Sequence, residues 1–436
     1  MSQAIANRAT YLSALLEQAT AAAERSGLAL DDLRSTAQAL VSERSFPSGR
    51  EEEWRFTDLR EMLSNPFQSA VLPTDLEGLR PTVEKLTLPE AKQRIVLVNG
   101  HYADSLSELD AGGEIAIALL SQLIETDRDR ILKHLARIQG SNEVFTALNT
   151  AGFADATVIQ AGSSQAEIAP VQIIYLSLPG STPVIAQPRC LVLAAANSRL
   201  SLVETYWGNA ETPYFTNSVT EFWLEANAQV EHTRIQQEGA ETFHIAKTAV
   251  SQGRDSRYTS TAIDLGAKLS RHHLEVYQTG PQTDTRLYGL SALQSAQLAD
   301  THSLIALSQP YGTADQVQKN VISDRAHAVF NGKVFVPREA QLTNAAQLNR
   351  NLLLSNQARV DTKPELEIIA NDVKCAHGAT VSQLEADEVF YLESRGIRAD
   401  QAQRLLVYAF AAEVIEKISL PSLRESLSQH VTDWIH

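Results

Sequence analysis

The chain has 436 residues, 44% of them hydrophobic and 20% charged, with a formal net charge of −15. That balance is ordinary for a globular protein with a large core. The negative excess argues against a nucleic-acid partner, because such affinity comes from Lys and Arg displacing condensed counterions. Two cysteines, Cys190 and Cys375, are too few for a disulfide framework and are expected as reduced thiols.

In chain order, the first stretch, Ser2 to Glu43, has a helical pattern with Tyr11, Leu12, Leu15 and Leu16 on one face. It lacks the basic head and apolar core of a secretory signal, so a cytoplasmic location is expected. Phe46-Pro47-Ser48-Gly49 stops it, and the acidic, aromatic run Glu51 to Leu59 (EEEWRFTDL) begins a short helix or turn. That run suits either a partner-binding surface or a capped helix with Trp54 in the core. Arg94 to Tyr102 reads as a strand whose Asn99-Gly100 pair signals a hairpin, and Asp129 to Ile138 reads as a helix.

Between about Ala156 and Thr380 helical periodicity gives way to short β-branched or alternating runs such as VQIIYLSL, RLSLVETYW and SVTEFWLEA. A loose repeat runs through them, a small residue, a long polar one, then an aliphatic one: Ser198-Arg199-Leu200, Ala228-Gln229-Val230, Ala267-Lys268-Leu269, Ala296-Gln297-Leu298, Ala340-Gln341-Leu342 and Ala358-Arg359-Val360. This fits coils stacked along an axis, each corner turned by a small residue. A β-sandwich is the other architecture with many short strands.

After Thr380 the period is helical again. Glu385 to Arg395 ends at Gly396, Ala399 to Ile418 places Leu405, Ala409, Ala412 and Ile415 on one stripe, and Pro421 precedes a last amphipathic segment, Ser422 to Ile435. The longest apolar run, Leu405 to Ile415, is too short for a bilayer and contains Glu413, so no membrane role is expected. Three regions result: 1–155 mainly helical, 156–380 a β core, and 381–436 helical.

Chemistry concentrates in KCAHGATV, Lys374 to Val381. On a strand, Cys375 and His377 share a face and could offer sulfur and imidazole nitrogen together. A small buried thiol beside a hydrogen-bonded histidine would look the same. With Cys190 the only other thiol, the chain cannot complete a four-ligand zinc or iron–sulfur cage, and further ligands would come from another chain. His272, His273, His302 and His327 lack ligand-type spacing and suit core or surface roles. There is no Gly-x4-Gly-Lys-Ser/Thr phosphate loop and no Gly-x-Ser-x-Gly elbow, so no catalytic residue is assigned.

FPSGREEEWRFTDL, the strand-rich centre, KCAHGATV and FYLESRGIRADQAQRLLVYAFAAEVIEKI, in that order, resemble the SufB/SufD family of iron–sulfur cluster assembly proteins from about Phe46 onward. Gly378-Ala379-Thr380 after the Cys-x-His resembles the SufD branch, since SufB typically carries an acidic residue at the position of Gly378.

The resemblance implies a right-handed parallel β-helix between N- and C-terminal helical domains, and a non-catalytic scaffold that pairs with SufB and binds the ATPase SufC. It implies a transient iron–sulfur cluster near the SufB–SufD interface, with His377 facing a cysteine of SufB and Cys375 in a less defined role. No cofactor is expected to bind the isolated chain tightly, and reduced flavin in the complex is left open.

From the residues, SufC is expected to dock on Leu405, Tyr408, Ala409 and Ala412. Pairing is expected along β-helix edge strands near the end of the strand-rich region, an edge that a second copy could occupy without SufB. The competing expectations are a β-helix enzyme acting on polysaccharide through carboxylates in a groove, and a self-sufficient metal or cluster carrier.

Overall fold

The computed structural model describes residues 2–110, 114–163, 169–208 and 211–434. Two parallel sheets face one another, and from Arg189 onward successive strands alternate between them, so the chain winds as a β-solenoid of about seven turns. The first sheet carries Arg189–Ala194, Tyr214–Leu224, Thr242–Gln252, Leu269–Gln278, Leu298–Ala306, His327–Val336 and Arg359–Ile368. The second carries Arg199–Gly208, Gln229–Glu238, Arg257–Asp264, Asp284–Leu293, Thr313–Ile322, Asn344–Leu353 and Lys374–Ser382. Before Arg189, strands Ala156–Ala161 and Val171–Leu176 extend the same two sheets.

The solenoid is a sequence effect of corner geometry. At one corner of the coils Asn197, Asn227, Asp255, Gln282, Tyr311 and Leu342 take a left-handed backbone conformation, as Ala267, Ser295 and Asp324 do at the opposite corner. Each residue of the first corner donates its N–H to a carbonyl of the next coil, as in Asn197 to Ala226 at 3.0 Å and Leu342 to Asp372 at 2.7 Å, so the ladder continues around the bend. The following residue is small and buried at Ser198, Ala228, Ser256, Thr283 and Thr343. Asn, Asp and Gln dominate the strained position, as expected where a short polar side chain eases positive φ.

The sequence repeat mixes two corners. Ser198-Arg199-Leu200 and Ala228-Gln229-Val230 mark the first corner, whereas Ala267-Lys268-Leu269, Ala296-Gln297-Leu298 and Ala358-Arg359-Val360 lie at or beside the opposite one. Ala340-Gln341-Leu342 falls three residues ahead of Thr343, the residue equivalent to Ala228. The actual register stacks Arg199, Gln229, Arg257, Asp284, Thr313, Asn344 and Lys374, about 30 residues per coil.

Before the last coil most strand residues are buried on both faces, polar ones such as His232, Arg234 and Gln236 included. Inward side chains, including Leu202, Phe222, Leu224, Val250, Val276, Leu287 and Ile305, fill the lumen. The N-terminal helices Ser2–Arg25 and Asp31–Ser42 cover the outer face of the first sheet, with Leu12, Leu15, Leu16 and Val41 packed toward Phe215, Phe243 and Ile245. The C-terminal helices Ala399–Ile415 and Pro421–Trp434 cover the second sheet, with Val407, Ala411, Val414, Ile415 and Leu427 against Val203, Ile235, Ile263 and Leu290.

Local expectations fared unevenly. The hairpin at Asn99-Gly100 is present, with both residues at positive φ between Gln93–Val98 and His101–Tyr102. The helix expected over Asp129 to Ile138 is instead Glu125–Leu132, because Ala136 turns left-handed and gives its N–H to the Glu221 carboxylate at 3.0 Å. Helix Val144–Gly152 is buried on every side, its polar Thr146, Asn149 and Thr150 included. Of the stripe expected on the Ala399 helix, Ala412 and Ile415 are buried while Leu405 and Ala409 face solvent, because the sheet lies on the side of Val407, Ala411 and Val414. Among the described residues no helix is long and apolar enough to cross a membrane.

Candidate functional site at the open end of the solenoid

The two last strands, Arg359–Ile368 and Lys374–Ser382, each pair with a neighbour on one side only. Their other edges carry unpaired N–H and C=O groups, and no further coil covers the lumen beyond them. Side chains that would be buried in any earlier coil are therefore open here. Cys375 stacks on buried Ala345, and His377 on buried Gln347.

Cys375 and His377 lie on the same inward face, as the alternation requires. Cys375 is half-buried against the lumen, and that burial pushes its thiol pKa up, partly offset by a backbone hydrogen bond from Ala345. His377 is exposed and makes no hydrogen bond or ion pair among the described residues. Ile369 and Val381, both more than half exposed, add apolar surface at this end. Cys190 is fully buried in a strand toward the other end of the solenoid, and burial raises its thiol well above the ordinary value. The two thiols belong to separate places, and among the described residues no three His, Cys, Asp or Glu side chains are grouped to hold a metal ion.

The acidic, aromatic run is a strap across the outer face of the first sheet. Trp54 is buried under the Arg271 guanidinium, 3.8 Å from the ring centroid. Arg271 pairs with buried Asp300, which also accepts from Thr57, and His302 joins Asp300 at 2.9 Å to Glu53 at 3.0 Å. Glu52 reaches Lys363 and, just past the run, Glu61 reaches Lys268, so the strap and the residues after it tie several coils together, the last one included. Of the two uses open to this run, the structure shows the internal one.

The other histidines also have internal partners: His272 meets Thr248 Oγ1 at 3.0 Å, His273 meets Glu275 at 3.1 Å, and His327 meets Asp361 at 2.8 Å. Sequence reading missed a buried lattice in the lumen. Glu204 accepts from Tyr175 and Thr220 at 2.8 Å and meets His232 at 2.8 Å. Burial raises its carboxyl, but these partners outweigh that and hold it below the usual range. Only strand alternation through RLSLVETYW, which puts Glu204 beside Leu202 and Tyr206 on one face, could have signalled this.

On the C-terminal helices Leu405 and Ala409 face solvent, Tyr408 is half-buried with its hydroxyl 3.4 Å from Ser428 Oγ, and Ala412 is covered within the chain. Phe390 and Tyr391, on helix Ala386–Glu393, are exposed as well and were missed by stripe counting. A shallow groove of about 900 Å³ runs along the corner of Asn197 and Asn227. Its carboxylates are Asp255 and Asp284, paired with Arg254 and Arg286, and Asp315, which accepts from the Tyr288 hydroxyl at 3.4 Å.

This is a family fold as well as a physical one. Residues 178–410 match the family model described as SUF system FeS cluster assembly, SufBD core domain, and residues 5–173 match the SufBD protein N-terminal region. The chain belongs to the SufB/SufD family of iron–sulfur cluster assembly proteins. Within that family it stands close to SufD. It is 42% identical to an iron–sulfur cluster assembly SufBD family protein of Synechocystis over 97% of this chain and 94% of the relative. It is 32% identical to the chloroplastic protein ABCI7 of Arabidopsis thaliana over 96% and 89%. Identity to the iron–sulfur cluster assembly protein SufD of Escherichia coli is 28%, over 87% of each chain. A role in iron–sulfur cluster assembly follows.

Proposed function

We propose that this chain is a non-catalytic, cytoplasmic scaffold subunit that pairs with SufB through the open end of its solenoid and carries SufC on its C-terminal helices. The observation behind this reading is the uncovered terminal coil. Two edge strands with unpaired backbone groups invite a strand from another chain, and the inward face of one presents Cys375 and His377 at that boundary.

The nascent cluster is the cargo. His377 supplies one neutral imidazole nitrogen, Cys375 stands beside it as a second donor, and SufB completes the set with a cysteine. Because burial raises the Cys375 thiol, metal must displace its proton, whereas the exposed imidazole offers a lone pair more readily. Phe390, Tyr391 and Leu405 form the apolar surface best suited to an ATPase groove. Without SufB, the same edge accepts a second copy of this chain.

The test is purification from the native cell followed by cluster assembly in the recovered complex. An ABC-type ATPase and a paralogous β-helix subunit should co-purify. In the intact complex carrying His377→Ala, cluster yield should fall at least about tenfold while ATP hydrolysis persists, in line with the loss of a ligand or its close support. Wild-type yield in that complex would remove His377 from the site.

A further inference from the structure

The inward column that ends in His377 is polar over its last three rungs, where Gln316, Gln347 and His377 stack in register. Gln316 Nε2 donates to Ser303 Oγ at 2.7 Å, and Gln347 Nε2 donates to Gln316 Oε1 at 2.9 Å. Gln347 is 2% exposed, and its Oε1 is buried without a hydrogen-bond partner among the described residues. A buried acceptor left unpaired is costly and calls for a reason.

The amide is held from two sides. Its Nε2 is drawn toward Gln316, which turns Oε1 away from that bond. Its room comes from Gly332 on the opposite sheet, where a Cβ would lie only 2.4 Å from Gln347 Nε2. One strand spacing away, ~4.8 Å, is the rung of His377, whose ring has no partner of its own among the described residues.

Building on the reading of His377 as a ligand to a transient cluster, we propose that Gln347 is its positioning residue, with Oε1 reserved for one N–H of the His377 imidazole. A neutral imidazole carries one N–H and one lone pair. Committing the N–H to the amide selects one tautomer and aims the lone pair out of the open end, toward the partner subunit. Orientation of this kind is what groups behind a ligating histidine ordinarily provide. The contact tightens as the ring is drawn in from solvent, as apo-state hydrogen bonds in functional sites commonly do.

The test uses the full-length chain with isotope-labelled histidine, reading the tautomer ratio of His377 from its two ring-nitrogen NMR shifts. The His377→Asn variant assigns the signal. Gln347→Met keeps the volume and removes the acceptor, and Gln347→Glu keeps an acceptor. One tautomer should dominate in the native chain, Gln347→Met should shift the ratio by about fivefold, and Gln347→Glu should restore it. An unchanged ratio in folded Gln347→Met overturns the proposal. If Gln347→Met does not fold, Gly332→Ala displaces the amide without removing it, and an unchanged ratio there overturns the proposal equally.

Cluster yield separates the two ideas. A ratio that responds to Gln347→Met, beside wild-type yield in the His377→Ala complex, keeps the contact and refutes the ligand. Lost yield in His377→Ala beside an unresponsive ratio keeps the ligand and refutes the contact.

Discussion

Replacing Asp300 with Leu should open the strap Glu51–Leu59 while leaving the distant coils folded. Asp300 is 1% exposed and sits between Arg271, Thr57 and His302. Its loss strands a guanidinium that is itself only 2% exposed, and removing one partner of a buried pair costs about 3–5 kcal/mol. Thr57 loses a further bond worth ~1 kcal/mol. With partial relaxation, about 4 kcal/mol is expected, roughly a thousandfold in the opening equilibrium.

The assay is hydrogen exchange of peptides covering the strap, because a solenoid opens locally and a single global midpoint would blur the effect. Glu52→Gln is the control. Glu52 pairs with Lys363 while 72% exposed, so its loss should cost no more than about 1 kcal/mol.

The pH dependence has a definite sign. Burial opposes ionisation of Asp300, but Arg271 and His302 hold its carboxyl well below the usual range, and the hydrogen bond to His302 lowers Glu53 as well. A depressed carboxyl contributes stability that is complete above its unfolded value, ~4, and lost as pH falls through the folded one. The native strap should therefore stay closed near the ordinary carboxyl range and open only in stronger acid. Less than a tenfold rise in exchange for Asp300→Leu, or a native strap that opens between about pH 4 and 5, would refute this reasoning.

Burial, with Arg234, His232 and His244 nearby, pushes His272 well below the ordinary histidine value. The unfolded chain then takes up a proton below ~6.5 that the folded chain refuses, so stability should decline as pH drops under that value, and His272→Gln should flatten the decline in a series of denaturant melts. Phe390→Asp with Leu405→Asp should leave unfolding within about 0.5 kcal/mol of the native chain, since these side chains are 69% and 47% exposed. The same pair should weaken capture of the ABC-type ATPase at least about tenfold by calorimetry, and native affinity would clear this surface of the role.

Sequence by itself determined the alternation of strands, the hairpin at Asn99-Gly100, the helical ends and the same-face pairing of Cys375 with His377, because each is set by φ/ψ preference or by side-chain period over a few residues. Helix Val144–Gly152 and the lumen lattice around Glu204 escaped it. The polar Thr146, Asn149 and Thr150 of that helix are buried by neighbours distant in the chain, and a buried carboxylate looks like a surface one until its partners, 28 residues away for His232, are known.

Only the tertiary structure decided which face of the Ala399 helix is covered, which corner each small residue turns, and what stands behind His377. Those depend on coil length. About 30 residues separate stacked rungs, and a one-residue shift of strand Asn344–Leu353 would move Gln347 from the lumen to the outside. The strap shows the same limit. EEEWRFTDL announces acids and aromatics, but Arg271, Asp300 and His302 meet it only after more than two hundred residues have wound into place, because parallel coils bring together side chains that no local pattern links.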